Sequence, residues 1–147
     1  MKVFLDTNVL ASAVATRGLC ADVLREVFAS HELFFSDQIL GELKRVLRSK
    51  FGVAQDLIDD FIWLLEQDSV RAQPGELPRI ELKDRDDLAI VGAAITAGVE
   101  VLVTGDKELQ DLGRIADLEI LTPRQFWERL KAQQKHGARR SGPRRSR

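Results

Sequence analysis

The sequence predicts an α/β protein: a three-layer α/β/α sandwich in which a central, mostly parallel sheet is covered by helices on both faces. Short apolar runs rich in β-formers alternate along the chain with longer segments of helical periodicity. The 147 residues, 44% of them hydrophobic, suffice for one core. In such a sheet, ligands bind in a crevice at the carboxyl ends of the strands.

Four runs have the composition of buried strands: residues 3–5, 32–35, 100–104 and 118–121. The first run ends in a polar turn. Helical patterns follow Gly18, follow a cap at Ser36 or Asp37, occupy residues 57–65, run from Asp86 to about Gly98, and start again at Pro123. Residues 72–83, which contain two prolines and a glycine, are predicted to form a loop rather than a domain linker.

Charge divides the chain into a predicted domain over residues 1–130 and a basic tail over residues 131–147. The tail holds seven of the 22 Lys and Arg residues and no acid, which leaves 15 basic against 23 acidic residues in the domain. The domain therefore carries a net charge near −8. The tail has no apolar periodicity, and we expect it to be disordered in isolation.

Cysteine content and hydropathy limit the compartment. The single cysteine, Cys20, excludes a disulfide framework and a cysteine-based zinc site, and it fits a reducing cytosol. The apolar stretches are too short for a signal peptide or a membrane span. We therefore expect a cytoplasmic protein with no membrane association.

Two acids follow predicted strands directly. Asp6 ends the run at residues 3–5, and Asp106 comes just after the strand at residues 100–104. Both should therefore point into the crevice at the same sheet edge. Taken singly, each is more simply explained as a turn or loop residue.

Two further acids lie on predicted helices. Asp87 lies in line with the inward, apolar face of its helix, although capping by Asp84 and dipole stabilisation of Asp86 and Asp87 explain these acids as well. Glu42 lies at the edge of an apolar helix face, from which a side chain either reaches the crevice or stays solvated.

Four carboxylates in one crevice require a cation. Two unpaired carboxylates about 4 Å apart repel by roughly 4 kcal/mol at an effective dielectric of 20, and no Lys or Arg flanks Asp6. Oxygen ligands of this type favour Mg²⁺ or Mn²⁺. Such ions activate water and neutralise a leaving alkoxide, which phosphodiester hydrolysis requires. The hypothesis is therefore a metal-dependent hydrolase with the acids Asp6, Glu42, Asp87 and Asp106.

In order and spacing, four segments resemble the PIN-domain nucleases, and among them the VapC-like toxins of prokaryotic type II toxin–antitoxin pairs. The segments are residues 4–10, 36–43, 83–87 and 103–107, and the resemblance covers about residues 1–130. The chain departs from the toxin subgroup at Arg85, where a proline is common, and at Glu108, where an aspartate is common. Arg85 leaves open whether Asp84 or Asp86 is a backup ligand.

The resemblance implies a PIN-like fold and endonucleolytic cleavage of RNA. It also implies a protein antitoxin, a homodimer, and Mg²⁺ or Mn²⁺ held by the four acids, with Asn8 and Thr104 orienting ligands or water. The basic tail lies outside the resemblance. It either contacts RNA phosphates or is a solvated end.

Two alternatives remain at this point. A haloacid-dehalogenase-like phosphatase also has an Asp after its first strand, and Lys83, Asp106 and Asp111 resemble its other polar positions. That chemistry needs a second Asp two residues after the nucleophile, where this chain has Asn8. The other alternative is a non-catalytic α/β module that binds RNA or protein, with its acids serving as caps and solvated surface.

Overall fold

The computed structural model describes residues 1–145, with side chains to residue 135, and within them seven helices surround one six-stranded sheet. The strands are β1 (Lys2–Leu5), β2 (Glu32–Phe35), β3 (Val70–Arg71), β4 (Val101–Val103), β5 (Arg114–Ile115) and β6 (Leu118–Leu121). The helices are α1 (Thr7–Ala15), α2 (Leu19–Ser30), α3 (Asp37–Ser49), α4 (Gln55–Asp68), α5 (Arg85–Thr96), α6 (Lys107–Leu112) and α7 (Pro123–Arg145).

The strand order, β3-β2-β1-β4-β6-β5, places β1 at the centre of the sheet. Every pairing is parallel except that of β5 with β6. From β1 the chain first builds outward through β2 and β3, and then crosses to build the other half through β4 and β6. The order therefore reverses between β1 and β4, and the crevice at their carboxyl ends is the expected place for a ligand.

The core forms around the three middle strands. Apart from the first residues, Lys2 and Glu32, the side chains of β1, β2 and β4 are almost fully excluded from solvent, as their apolar sequences require of strands covered on both faces. The largest fully buried core side chains include Phe4, Phe35, Phe126, Leu43 and Leu102. The predicted three-layer α/β/α sandwich is confirmed.

Helix α1 occupies the segment for which the sequence predicts only a polar turn. It packs against α2 and α3 and buries Val9, Leu10, Ala11 and Ala13. Because apolar residues cover most of its circumference, it lacks the amphipathic period that reveals surface helices. The short elements β3, β5 and α6 also lie outside the prediction, since two to six residues carry too little pattern.

The loop over residues 72–83 packs closely on α5. A Cβ atom on Gly75 would lie 2.5 Å from the carbonyl oxygen of Gly92, and one on Gly92 would lie 2.6 Å from the carbonyl oxygen of Glu76. The two backbones therefore approach more closely than any side chain allows. This contact fixes the position of α5, whose N-cap and first turn together carry three of the acids singled out in the sequence.

Helix α7 continues to Arg145, through most of the segment expected to be a disordered tail. Side chains beyond residue 135, and residues 146–147 altogether, lie outside the described part of the chain. The division at residue 130 stays a prediction. No helix within the described residues is long and apolar enough to cross a membrane.

Candidate functional site

Asp6 and Asp106 lie at the carboxyl ends of β1 and β4, where the strand order reverses. Both are also helix N-caps. One oxygen of Asp6, Oδ1, accepts a hydrogen bond from the backbone N–H of Val9 at 3.0 Å, at the start of α1. One oxygen of Asp106, Oδ1, accepts from the N–H of Glu108 at 2.8 Å, at the start of α6. Capping therefore uses one oxygen of each carboxylate and leaves the second available to the crevice.

Thr104 connects these two acids. Its side chain is fully buried; the hydroxyl donates a hydrogen bond to Asp6 Oδ2 and accepts one from the backbone N–H of Asp106 at 3.0 Å. A single hydroxyl thus holds both strand-end acids in a fixed relation. That Thr104 orients a ligand or water stays a prediction.

Asp6 is buried, with 8% of its surface exposed. Burial raises the pKa of its carboxyl above the usual value, the hydrogen bonds from Thr104 and Val9 oppose the rise, and the negative charges of Asp106 and Glu42 add to it. Asp6 therefore lies in a site that disfavours its own charge until a cation is present.

Glu42 approaches from α3 and is held by two side chains. The Thr7 hydroxyl donates to its Oε2 at 3.0 Å, and the Gln38 amide donates to its Oε1 at 3.3 Å. The same Gln38 amide donates to the carbonyl oxygen of Asp86 at 3.1 Å, which connects α3 to the start of α5. The sequence patterns do not single out Thr7 or Gln38, although Gln38 precedes Glu42 by one helical turn, a spacing that places the two side chains together.

Asp87 enters from the first turn of α5 and is half-buried. Burial raises its pKa from 3.8 to about 7, and the negative charges of Asp106, Asp84 and Asp6 add to the rise. The acids therefore interact electrostatically: the charges of Asp106 and Asp6 raise the pKa of Asp87, and those of Asp106 and Glu42 raise the pKa of Asp6. The four predicted site acids thus lie close enough to one another to interact electrostatically.

The other predicted site residues lie at the margin. Asp84 is the N-cap of α5 and accepts a hydrogen bond from the N–H of Asp86 at 2.8 Å, so the capping interpretation of Asp84 is confirmed. The side chains of Asp86 and Asn8 are exposed. Any role of Asn8, Asp84 or Asp86 in ligand binding stays a prediction.

No lysine or arginine neutralises the four acids within residues 1–135, whose side chains are described; the ion pairs there lie elsewhere, as in the pair of Arg129 with Glu119. In the same residues, no group of three or more His, Cys, Asp or Glu side chains is already arranged as a metal cage. The donor set still fits a hard divalent cation, because it offers only carboxylate oxygens and lacks a competing cation. Closing the four around an ion requires their side chains to move together.

Three solved structures, two of VapBC and one of VapC20, have a fold similar to that of this chain. The chain is similar to VapBC2 from Rickettsia felis, with 19% identity over 83% of this chain and 98% of that one and a TM-score of 0.56. It is similar to VapBC-1 from nontypeable Haemophilus influenzae, with 21% identity, 84% and 99% coverage and a TM-score of 0.59. It is also similar to Mycobacterium tuberculosis VapC20, described as a sarcin–ricin loop cleaving toxin, with 13% identity over 80% of this chain and 98% of that one and a TM-score of 0.58.

The family comparison is independent of these structures. No curated protein matches the sequence. Residues 2–108 match the PIN domain family, a stretch that covers most of the chain and includes the four coupled acids. On that ground, the chain belongs to the PIN domain family.

Proposed function

We propose that this protein is a metal-dependent endoribonuclease that hydrolyses RNA phosphodiester bonds, and the toxin of a toxin–antitoxin pair. The observation that carries the proposal is the convergence of Asp6, Glu42, Asp87 and Asp106 at the point where strand order reverses, with no described basic side chain paired to them. Membership of the PIN domain family and the similarity to VapC structures support it.

The four acids would hold Mg²⁺ or Mn²⁺. When bound, such an ion supplies an activated water and positive charge for the phosphate. Thr104 keeps Asp6 and Asp106 in place, and Thr7 and Gln38 do the same for Glu42. Asp87, with a pKa of about 7, is partly protonated at neutral pH in the metal-free protein and would lose that proton on binding a cation.

An antitoxin partner is part of the proposal, since two of the similar structures are VapBC assemblies. The candidate contact is an apolar cavity of about 590 Å³ between the end of α1, the α3–α4 connection and α4. It is lined by Phe51, Phe61 and Leu57, and Leu57 is 57% exposed. Such an exposed apolar pocket is a candidate surface for a protein partner. A homodimer and a cytoplasmic location are proposed on the family resemblance and on cysteine content alone.

The decisive assay compares two substrates and two metal conditions. Purified protein is incubated with single-stranded RNA and with p-nitrophenyl phosphate, each with Mn²⁺ or with EDTA. RNA cleavage that EDTA abolishes supports the nuclease. Release of p-nitrophenol without RNA cleavage supports the phosphatase alternative, and turnover of neither substrate supports the non-catalytic module.

The partner is tested separately. Leu57→Asp is expected to weaken co-purification with the product of the adjacent upstream reading frame, because a charge would enter the apolar cavity. RNA cleavage by the free variant should stay at the wild-type level. If the variant is retained by that product as well as the wild type is, this cavity is not the antitoxin contact.

A further inference from the structure

Helix α3 carries a cluster of basic residues immediately after Glu42. Lys44, Arg45 and Arg48, together with Gly41, Ser49 and Gln55, line a cleft of about 410 Å³ between α3 and the start of α4. At 100° per residue, Gly41 and the three cations lie within about 100° of the helix circumference. We refer to this feature as the α3 basic cleft.

The α3 basic cleft stands out against the charge of its surroundings. Residues 1–130 carry 15 basic and 23 acidic side chains, yet three of the 15 lie in this one cleft. All three are exposed, and among the described side chains none of them forms an ion pair. Five other cations of the domain, among them Arg71 with Glu66, form ion pairs with acids. The cleft therefore attracts anions in a body that otherwise repels them.

The cleft is also close to the acids. With a rise of about 1.5 Å per residue, its cations begin about 3 Å along the helix beyond Glu42 and span about 6 Å. Gly41, beside Glu42, leaves the surface between them open, since a Cβ atom added there would meet nothing within 4 Å. Around the helix axis, Arg45 lies about 60° from Glu42, whereas Arg48 and Lys44 lie about 120° and 160° from it. A strand leaving the acidic site thus meets Arg45 first and curves around α3 to reach Arg48 and Lys44.

We propose that the α3 basic cleft binds the phosphate backbone of the RNA strand whose scissile phosphate lies at the four acids; this inference rests on the proposed function. A polyanion gains most of its affinity from lysine and arginine contacts to phosphates. The cleft has no aromatic lining on which bases could stack. Its contribution is therefore independent of RNA sequence and strongly dependent on salt.

The test measures binding without cleavage. A labelled, unstructured single-stranded RNA is titrated with full-length protein over a series of salt concentrations, with EDTA present. The triple variant K44Q/R45Q/R48Q is compared with K2Q/R17Q/R25Q, which removes the same charge from β1, from the α1–α2 connection and from α2, all outside the basic tail. We expect the cleft variant to bind RNA at least about 10-fold more weakly at low salt. The slope of log affinity against log salt should become shallower by about 2, because each of the three lost phosphate contacts contributes about 0.7. The control should match the wild type.

A second pair of variants adds charge instead of removing it. Gly41→Glu introduces an acid at the mouth of the cleft and improves the helix propensity of α3, and Gly41→Gln is its neutral counterpart. We expect Glu, but not Gln, to weaken RNA binding. Each variant is checked by thermal unfolding, and all should melt close to the wild type because the altered side chains are exposed or fill open space.

The outcomes separate the two proposals. Wild-type protein that binds RNA through the cleft but does not cleave it overturns the nuclease proposal and leaves the cleft intact. Unchanged affinity and slope in K44Q/R45Q/R48Q, or an equal loss in K2Q/R17Q/R25Q, overturns the cleft proposal whatever the cleavage activity. If K44Q/R45Q/R48Q loses antitoxin binding but keeps full affinity for RNA, the cleft proposal is also overturned.

Discussion

The acidic site has two sides that are held in different ways. On the strand side, Asp6 and Asp106 are fixed by backbone N–H groups and by the buried hydroxyl of Thr104. On the helix side, Glu42 relies on hydrogen bonds from two side chains. Asp87 is half-buried, and this burial, together with the like charges around it, raises its pKa.

This contrast shows which part of the site depends on the fold and which part depends on a cation. The strand side keeps its geometry as long as the sheet exists, because its partners are main-chain groups and one core hydroxyl. The helix side is set by side-chain contacts and by charge repulsion, both of which a bound cation changes. The ratio of the effect on activity to the effect on stability should therefore differ between variants on the strand side and variants on the helix side.

The largest effect on activity is expected for Asp6→Asn. RNA cleavage should fall by more than about 100-fold, since loss of a ligand exceeds the effect of losing a residue that supports one. Stability should stay equal or rise, because Asn also caps α1 and no longer carries a buried charge near Asp106 and Glu42. Asp56→Asn, in the exposed first turn of α4, is the control. Full activity, or an unfolded Asn variant, would show that Asp6 is not the central ligand.

Thr104→Val should have the next largest effect and lower both the cleavage activity and the stability of the protein. The change keeps shape but leaves Asp6 Oδ2 and the N–H of Asp106 without their partner. We expect a loss of about 1–3 kcal/mol in the free energy of unfolding and roughly a 10- to 100-fold fall in cleavage rate. Urea unfolding and steady-state cleavage measure the two. Thr104→Ser, which restores the hydroxyl, should recover most of both; if it does not, the methyl group rather than the hydrogen bonds matters.

Asp87→Asn tests the charge balance of the helix side in metal-free protein. Because the native pKa of about 7 lies above the ordinary value of 3.8, the folded form binds the proton more tightly, so Asp87 makes the wild type less stable as pH rises from about 4 to 7. The Asn variant does not lose stability in this way as pH rises, because its side chain does not titrate. Its stability advantage should therefore be absent near pH 4 and reach about 1 kcal/mol above pH 7, allowing for solvent screening.

Unfolding in urea with EDTA, followed across this pH range, gives that difference directly. Added Mn²⁺ should stabilise the wild type more at pH 8 than at pH 5, since the ion must displace the proton of Asp87 at the lower pH. A constant offset between variant and wild type at every pH would mean that Asp87 does not titrate in this window.

The sequence predicts the position of the strand-side acids more directly than that of the helix-side acids, for which helix periodicity leaves other interpretations open. Asp6 and Asp106 follow apolar runs, and the geometry of parallel sheets alone predicts that they meet. The function of Glu42 and Asp87 depends on how α3 and α5 are rotated and joined, and that depends on Gln38 bonding to the Asp86 carbonyl and on the close approach of Gly75 to Gly92. Such tertiary contacts leave no periodic signal in the sequence.

Helix α1 illustrates the same limit in the fold. Its residues are apolar on most sides because it is packed between neighbours, so burial itself erases the amphipathic pattern. Asp6 caps this helix and also faces the crevice. The turn interpretation and the site interpretation, which exclude each other in the sequence, are thus compatible in three dimensions because a carboxylate has two oxygens.

The smallest effect is expected for Thr7→Val, and it sharpens the contrast between the two sides. The variant removes the hydrogen bond to Glu42 Oε2 but keeps that of Gln38 to Oε1, so Glu42 remains partly held. Loss of one such bond corresponds to about 1 kcal/mol, or roughly fivefold in cleavage rate. Gln38→Leu alone should be similar. The double variant should lose more than the product of the two, because only then is Glu42 unsupported. Multiplicative losses would mean that Thr7 and Gln38 act independently, and that Glu42 is not held jointly by them.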